Sequence, residues 1–201
     1  MKRVGYLGLL SAIVLLGGCQ GTGKVINLNL HSLESTPQMT APKIHVTIQP
    51  FQDLREHTEQ IGLRNHWGGG KTYFTAWDGM IGNGMAQTAV EYFQQHGWKA
   101  ELAGTNTSTA DVLLVGKITD FSAEVNSHFW CNELTVHMEV LFEAQNQQDG
   151  SVTNIVLKAD GDDTNFIFEL ADLEELINDV LEDAFMQFLD NTHLKGQTIK
   201  M

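Results

Sequence analysis

The fold is decided by residues 133–144, which run Glu-Leu-Thr-Val-His-Met-Glu-Val-Leu-Phe-Glu-Ala. Apolar side chains at the even-numbered positions 134 to 142 alternate with polar or charged neighbours such as Thr135, His137, Glu139 and Glu143. A period of two is typical of a strand with one buried face. Asp149-Gly150 follows as a hairpin turn, and residues 151–159 return with a second apolar pattern. The sequence therefore predicts two antiparallel strands here.

Further strands are expected on the N-terminal side of this hairpin. Lys43–Phe51 alternates in the same way, with Pro50 near its end. Trp98–Leu102 is predicted as a short strand and Asp111–Val125 as a long one.

Two helices complete the expected elements. Ile81–His96 has apolar residues at helical spacing, and Gly97 is placed to end it. Ala171–Asp190 combines an apolar stripe with an acidic face, and the spacing of Asp172 and Glu175 resembles a capping box. Both stripes need a sheet to cover them. The sequence thus predicts an α+β fold, a mainly antiparallel sheet of four to five strands with two helices packed on one face.

The segment between the first strand and the first helix is polar, rich in glycine and aromatic. It is either a functional loop or an irregular hairpin. Exposed aromatic side chains favour an interface, so Trp67, Tyr73, Phe74 and Trp77 are candidate partner-binding residues. The run from residue 65 to residue 72 comes near a phosphate-binding loop, but it lacks the first glycine and the flanking strand and helix, so nucleotide binding is rejected.

The N-terminus has the pattern of a bacterial lipoprotein precursor. Lys2 and Arg3 precede a short apolar run that ends in Leu16-Gly17-Gly18-Cys19. This resembles the lipobox, so we expect cleavage between Gly18 and Cys19 and lipidation of Cys19. More than one acyl chain makes such an anchor stable.

Gln20 follows the cysteine, where Asp would imply retention in the inner membrane of an enterobacterial-type cell. The expected location is therefore the outer membrane, with the body facing the periplasm. The expected organisation is a signal peptide at 1–18, a lipidated tether at 19–42, one periplasmic domain at 43–193 and a tail at 194–201.

Charge and cysteine content narrow the class of partner. The chain has 12 Lys+Arg against 25 Asp+Glu, and removal of residues 1–18 leaves 10 against 25, a formal charge of −15. This balance disfavours nucleic acid and direct binding to anionic lipid, because like charges repel, and it suits a soluble body or a basic partner. If Cys19 carries lipid, Cys131 has no partner within the chain; we favour a half-buried structural residue there over an intermolecular disulfide or a reactive thiol.

The sequence contains no constellation that indicates catalysis. It has no nucleophile elbow, and no histidine pair has the spacing of a zinc motif, so no enzyme activity, metal or cofactor is expected. A meeting of His128 and His137 across a hairpin is a weak zinc hypothesis, and scattered solvent histidines are the favoured interpretation. Asp53 and Arg55 directly follow the first strand and are interpreted as a structural pair.

Several stretches together resemble the YajG-type family of bacterial lipoproteins. They are a strand at 44–51, Asp53-x-Arg55, Ile61-Gly62, a glycine loop, and the run Ala-Asp-Val-Leu-Leu-Val-Gly-Lys-Ile-Thr-Asp-Phe at 110–121. The resemblance covers about residues 43–190 and implies a cellular location and a fold more than an activity.

Two hypotheses on function follow. The first is an outer-membrane lipoprotein that acts as a non-catalytic binding or structural component of the envelope, with an unidentified protein partner. The second is an auxiliary lipoprotein of a lipopolysaccharide or phospholipid transport or assembly machine, which binds lipid or a barrel protein. A hydrolase ranks last.

Overall fold

The structure is a computed structural model that describes residues 24–28, 44–76, 79–104 and 110–201. Its strands are β1 Lys24–Leu28, β2 His45–Ile48, β3 Gln52–Asp53, β4 Gly62–Asn65, β5 Lys71–Ala76, β6 Lys99–Leu102, β7 Val112–Ser127, β8 Asn132–Asn146, β9 Val152–Asn165, β10 His193–Lys195 and β11 Thr198–Lys200. The helices are α1 Ile81–Gln95 and α2 Leu170–Asn191.

The strands predicted around residues 133–144 form a long antiparallel meander. β7 pairs with β8 along its whole length, and β8 pairs with β9 from Asn132 to Gln145. Gly150 turns the β8–β9 hairpin with a φ of 68°, in the left-handed region that glycine favours. The even-numbered side chains of β8 are buried, as the alternation predicts.

The expectation of a mainly antiparallel sheet of four to five strands is wrong. The described residues form one mixed sheet of nine strands and a separate two-stranded hairpin. β2, β3 and β4 lie one after another along the same edge of β7, and all three run parallel to it. β6 extends the sheet in parallel beside β2, and β1 does so beside β5. These parallel pairs join segments that are far apart in sequence, so no local pattern marks them.

The segment at 52–80, expected as a loop or irregular hairpin, contains a hairpin. β4 and β5 pair antiparallel, with Gly62 opposite Phe74 and Asn65 opposite Lys71. Gly68, Gly69 and Gly70 all have φ between 87° and 103°, so the turn between the strands uses conformations that other residues rarely adopt.

The two helices pack together against one core. Ring centroids of Tyr92 and Phe185 lie 5.5 Å apart, and those of Phe93 and Phe188 lie 5.6 Å apart. α1 begins after Met80 without a side-chain cap, and α2 begins with a capping box made by Glu169 and Asp172. The capping box predicted at Asp172 and Glu175 is therefore placed about one turn too far along the chain, because the helix begins before the apolar stripe that marks it in the sequence. Within the described residues, neither helix is long and apolar enough to span a bilayer.

The chain beyond α2 is part of the packed body. β10 and β11 pair antiparallel, and Ile199 is fully buried. The side chain of Asn146 accepts from the backbone N–H of Ile199 at 2.7 Å and donates to its carbonyl at 3.0 Å. The residues expected as a tail thus close the end of the core. The expected signal peptide lies outside the described residues, and the expected tether is described only over β1.

Candidate functional site

Three connections meet at one end of the sheet. β4 ends beside the end of β7, since Asn65 lies opposite Asn126. Asn132 at the start of β8 lies opposite both Ser127 and Asn165, the last residue of β9. We call this end the tip and define it as residues 66–70 between β4 and β5, 128–131 between β7 and β8, and 166–169 between β9 and α2.

The tip exposes large apolar side chains from all three connections. The exposed fractions are 64% for Trp67, 60% for Phe129, 74% for Trp130, 86% for Phe166 and 75% for Ile167. The rings of Trp67 and Phe129 lie 5.1 Å apart, and those of Phe129 and Trp130 lie 4.5 Å apart. A cluster of large exposed apolar side chains is uncommon on a protein surface, so the tip is the candidate binding surface.

Arg64 lines a cleft beside these side chains. The cleft has a volume of about 400 Å³, and Trp67, Phe166 and Ile167 also line it. The Nε of Arg64 donates to the Oγ of Ser127 at 2.9 Å, and its guanidinium lies 4.3 Å from the ring centre of Phe168. Its Nη2 also donates to the side-chain amide oxygen of Asn132 at 3.2 Å.

These partners of Arg64 are all uncharged. Among the residues that the structure describes, no carboxylate forms an ion pair with Arg64. Burial lowers the pKa of the Arg64 guanidinium, because desolvation disfavours its charged form. A half-buried cation without a counter-ion attracts an anionic group, so the cleft offers an anion a positive charge next to apolar walls.

The predicted partner-binding residues separate in the structure. Trp67 lies in the tip and is exposed. Tyr73 is half-buried, whereas Phe74 is fully buried and is not available to a partner. Strand alternation in β5 explains the difference, because Thr72 and Phe74 share the inward face. Trp77 lies outside the described residues.

Sequence reasoning missed four of the exposed apolar residues of the tip. Phe129 and Trp130 stand in the turn between two long strands, and Phe166 and Ile167 stand directly before α2. Polar residues usually occupy such connections. An aromatic pair in a predicted hairpin turn was therefore a signal that sequence analysis could have used.

Asp53 and Arg55 form a pair away from the tip. Nε and Nη2 of Arg55 donate to the two carboxylate oxygens of Asp53 at 2.9 and 2.7 Å. Nη1 donates to the backbone oxygens of Gln60 and Phe121 at 2.9 and 3.2 Å. The pair therefore holds residues 54–61 against β7 where the chain passes from β3 to β4.

The histidines do not form a metal site in the described residues. His128 lies 3.3 Å from Glu133, whereas His137 lies between Asp120 and Asp160 on another part of the sheet. No group of three or more potential ligands occurs within the described part of the chain. Cys131 is a free, half-buried thiol in the turn of the tip.

Comparisons with known proteins show a shared fold. No protein-family model matches the chain, and no curated protein matches it. A protein of the DUF330 family from Xanthomonas campestris superposes with a TM-score of 0.53 at 8% identity, covering 83% of this chain and 93% of its own. An uncharacterised protein superposes with a TM-score of 0.50 at 7% identity, covering 85% and 98%.

A lipoprotein from Neisseria meningitidis superposes more loosely. Its TM-score is 0.37 at 12% identity, with 73% of this chain and 97% of that chain covered. At these identities the two closer superpositions establish the fold and nothing about activity.

Proposed function

We propose that this chain is a lipoprotein of the bacterial outer membrane, anchored through Cys19, whose periplasmic body is a non-catalytic binding module of the cell envelope. The YajG-type family is the finer assignment that we propose. The lipobox-like Leu16-Gly17-Gly18-Cys19 and the Gln20 that follows it support the anchor and the address.

The observation that carries the binding role is the apolar surface of the tip. Three connections from separate parts of the chain each place large apolar side chains in solvent at the same end of the sheet. Folding alone gains nothing from this exposure, and the core is complete without it. A surface of this kind supports a binding role for the body.

The anchor is tested by labelling cells with an alkyne analogue of palmitate. The wild-type chain is expected to incorporate the label and to fractionate with the outer membrane, and Cys19→Ser is expected to do neither. Cys131→Ser is the matched control, because it removes the other cysteine and should keep the label. Label retained in Cys19→Ser, or absent from the wild type, would contradict the proposal.

The binding role is tested by photo-crosslinking in living cells. A photoreactive amino acid at position 67 is expected to form an adduct, and the same residue at position 152 is not. Val152 is the control because it is also an exposed apolar residue but lies at the opposite end of the sheet. Equal adduct formation at both positions would remove the tip from the proposal.

A second candidate is an auxiliary lipoprotein of a lipid transport or assembly machine. Arg64 and its cleft favour it, because an unpaired cation beside apolar walls suits an anionic lipid. The interface between the sheet and the helices is packed, with Phe93, Phe142 and Phe185 fully buried. Native mass spectrometry tests this candidate: co-purified lipid that Arg64→Gln loses would support it, and a lipid-free wild-type chain would count against it.

A further inference from the structure

The path of the N-terminal segment brings the proposed anchor to the tip. β1 runs parallel to β5, and Lys24, its first residue, lies opposite Thr72. β5 begins at the tip, directly after the turn at residues 66–70, so β1 begins at the same end of the sheet. Cys19 precedes Lys24 by five residues, and a chain of that length spans at most about 18 Å. Acyl chains on Cys19 therefore hold the start of β1, on the side of the tip beside β5, within about 18 Å of the bilayer.

The composition of the tip suits the boundary between lipid and water. Tryptophan is enriched at this boundary, where its ring contacts acyl chains while its N–H remains hydrated. Trp67 and Trp130 supply this side chain, and Phe129, Phe166 and Ile167 supply purely apolar surface. The five side chains come from three connections at one end of the sheet, so one contact with a bilayer surface can cover all of them.

Within the tip, the β4–β5 hairpin is the part that suits a lipid phosphate. The β4–β5 hairpin from residue 64 to residue 71 contains Arg64 and Lys71 and no acid. Acidic residues lie near it as well: the exposed Glu169 belongs to the tip, the exposed Glu133 lies shortly after residues 128–131, and Asp172 stands in the first turn of α2. The body carries a large negative charge, so we expect a lipid phosphate to approach it at this hairpin, where Arg64 has no carboxylate partner among the described residues.

We propose that the tip rests on the bilayer that holds lipidated Cys19, with its aromatic side chains at the level of the lipid headgroups and Arg64 bound to a lipid phosphate. The proposal rests on the proposed lipidation of Cys19. In this arrangement the sheet stands away from the membrane, and the end that carries the β8–β9 turn faces the periplasm. Strand β8 has 15 residues, so that end lies roughly 46 Å from the tip.

The experiment uses the lipidated full-length chain, reconstituted into phosphatidylcholine vesicles whose acyl chains carry bromine near the headgroup. Bromine quenches tryptophan fluorescence on contact. Trp67 and Trp130 are expected to be quenched, so the double variant Trp67→Phe/Trp130→Phe should lose about half or more of the bromine-dependent quenching. Both residues are exposed, so the substitution leaves the core intact. Trp98 is buried at the other end, beside the start of β6, and serves as an internal reference that stays unquenched.

The quenching of the double variant and the lipidation of Cys19 are measured separately, so each can fail without the other. If Cys19 is lipidated and the double variant is quenched as strongly as the wild type, the tip does not touch the bilayer and the inference is overturned while the anchor stands. If Cys19 carries no lipid, the proposed function fails first. Arg64→Gln is expected to weaken the quenching about twofold or more, because the phosphate loses its cation. Quenching that 50 mM inorganic phosphate abolishes would show that the Arg64 cleft takes free phosphate instead, and would overturn the assignment of Arg64 to lipid.

Discussion

At the scale of single residues, Arg55 makes several side-chain hydrogen bonds that a substitution would remove. Its side chain is 6% exposed and donates to Asp53 and to the backbone oxygens of Gln60 and Phe121. Arg55→Ala leaves a half-buried carboxylate and two carbonyls without their donor. We expect the free energy of unfolding to fall by about 3 kcal/mol, measured by urea denaturation with circular dichroism.

Two substitutions serve as controls for this prediction. Arg55→Lys keeps the charge but cannot donate to both carboxylate oxygens in the forked geometry, so its effect should be intermediate. Lys158→Ala removes an ion pair with Glu139 in which the lysine is 61% exposed, and should change stability far less than Arg55→Ala does, because solvent screens such a pair. Equal effects of Arg55→Ala and Lys158→Ala would show that residues 54–61 do not depend on Arg55.

Tyr92 gives a pH dependence whose sign is defined. Burial, with Glu182 and Asp190 nearby, raises the pKa of Tyr92 from 10.0 to about 12. Below pH 10 the phenol is protonated in both folded and unfolded chains and has no effect. Between pH 10 and 12 the unfolded chain loses this proton first, so the free energy of unfolding falls as pH rises, by about 2 to 3 kcal/mol.

Urea denaturation across this pH range, compared between the wild type and Tyr92→Phe, isolates the contribution of Tyr92. The variant should lose stability less steeply above pH 10, while the difference between the two chains stays constant at lower pH. Glu182→Gln should also reduce the slope, since it removes a negative charge that disfavours the phenolate. Parallel curves for wild type and Tyr92→Phe above pH 10 would contradict the assignment.

Single residues of the site were only partly predictable. The sequence marks Trp67 as an aromatic side chain beside a glycine turn, and it lies in the tip. Phe74 stands in the same segment but is buried, because the hairpin places it on the inward face of β5. Arg64 carries no mark in the sequence. Its significance lies in a missing counter-ion, and only the positions of the described acidic side chains reveal that.

At the scale of elements, the contact between β4 and β7 depends on Gly62. A Cβ on Gly62 would lie 1.8 Å from the backbone oxygen of Ala123, and that backbone cannot move without opening the pair. We expect Gly62→Ala to lower the free energy of unfolding by about 3 kcal/mol. Hydrogen exchange of the β4 amides should accelerate more than that of β8, because the local pair is lost first.

Gly104→Ala is the matched control for this prediction. A Cβ at Gly104 meets no atom of the described residues within 4 Å. The same chemical change should therefore alter stability by no more than about 0.5 kcal/mol. If Gly62→Ala behaves like Gly104→Ala, β4 is held to β7 more loosely than the structure places it.

Elements differ in how far the sequence predicts them, and the reason is locality. β7, β8 and β9 are joined by short turns, so alternation and a turn dipeptide suffice to predict both strands and pairing. β2, β3 and β4 are short and join β7 in parallel across more than 50 residues. Their pairing partner is set by tertiary packing, which a local pattern does not encode.

At the scale of the whole molecule, the two ends of the sheet are built differently. The tip leaves apolar side chains uncovered, whereas the opposite end is closed by the hairpin of β10 and β11. There, Ile199 is buried, and the Nζ of Lys200 lies 2.8 Å from a carboxylate oxygen of Asp149. Hydrogen bonds from Lys200 and Ser151 hold the pKa of the Asp149 carboxyl well below its usual range. Among the described residues, one end is thus closed by the chain itself, whereas the other exposes the apolar side chains of the tip.

This contrast predicts that deletion of residues 193–201 will damage stability and spare the tip. The deletion exposes the site of Ile199 and leaves the buried amide of Asn146 without two hydrogen bonds. We expect a loss of about 3 to 5 kcal/mol in the free energy of unfolding, with the emission of Trp67 and Trp130 unchanged in the folded state. Asn146→Ala should give part of the loss, and Lys200→Ala little, because its ion pair is partly exposed. A deletion that changes the fluorescence of the tip at urea concentrations where the chain is still folded would show that the two ends are coupled. The end closed by β10 and β11 would then contribute to the proposed binding surface as well as to stability.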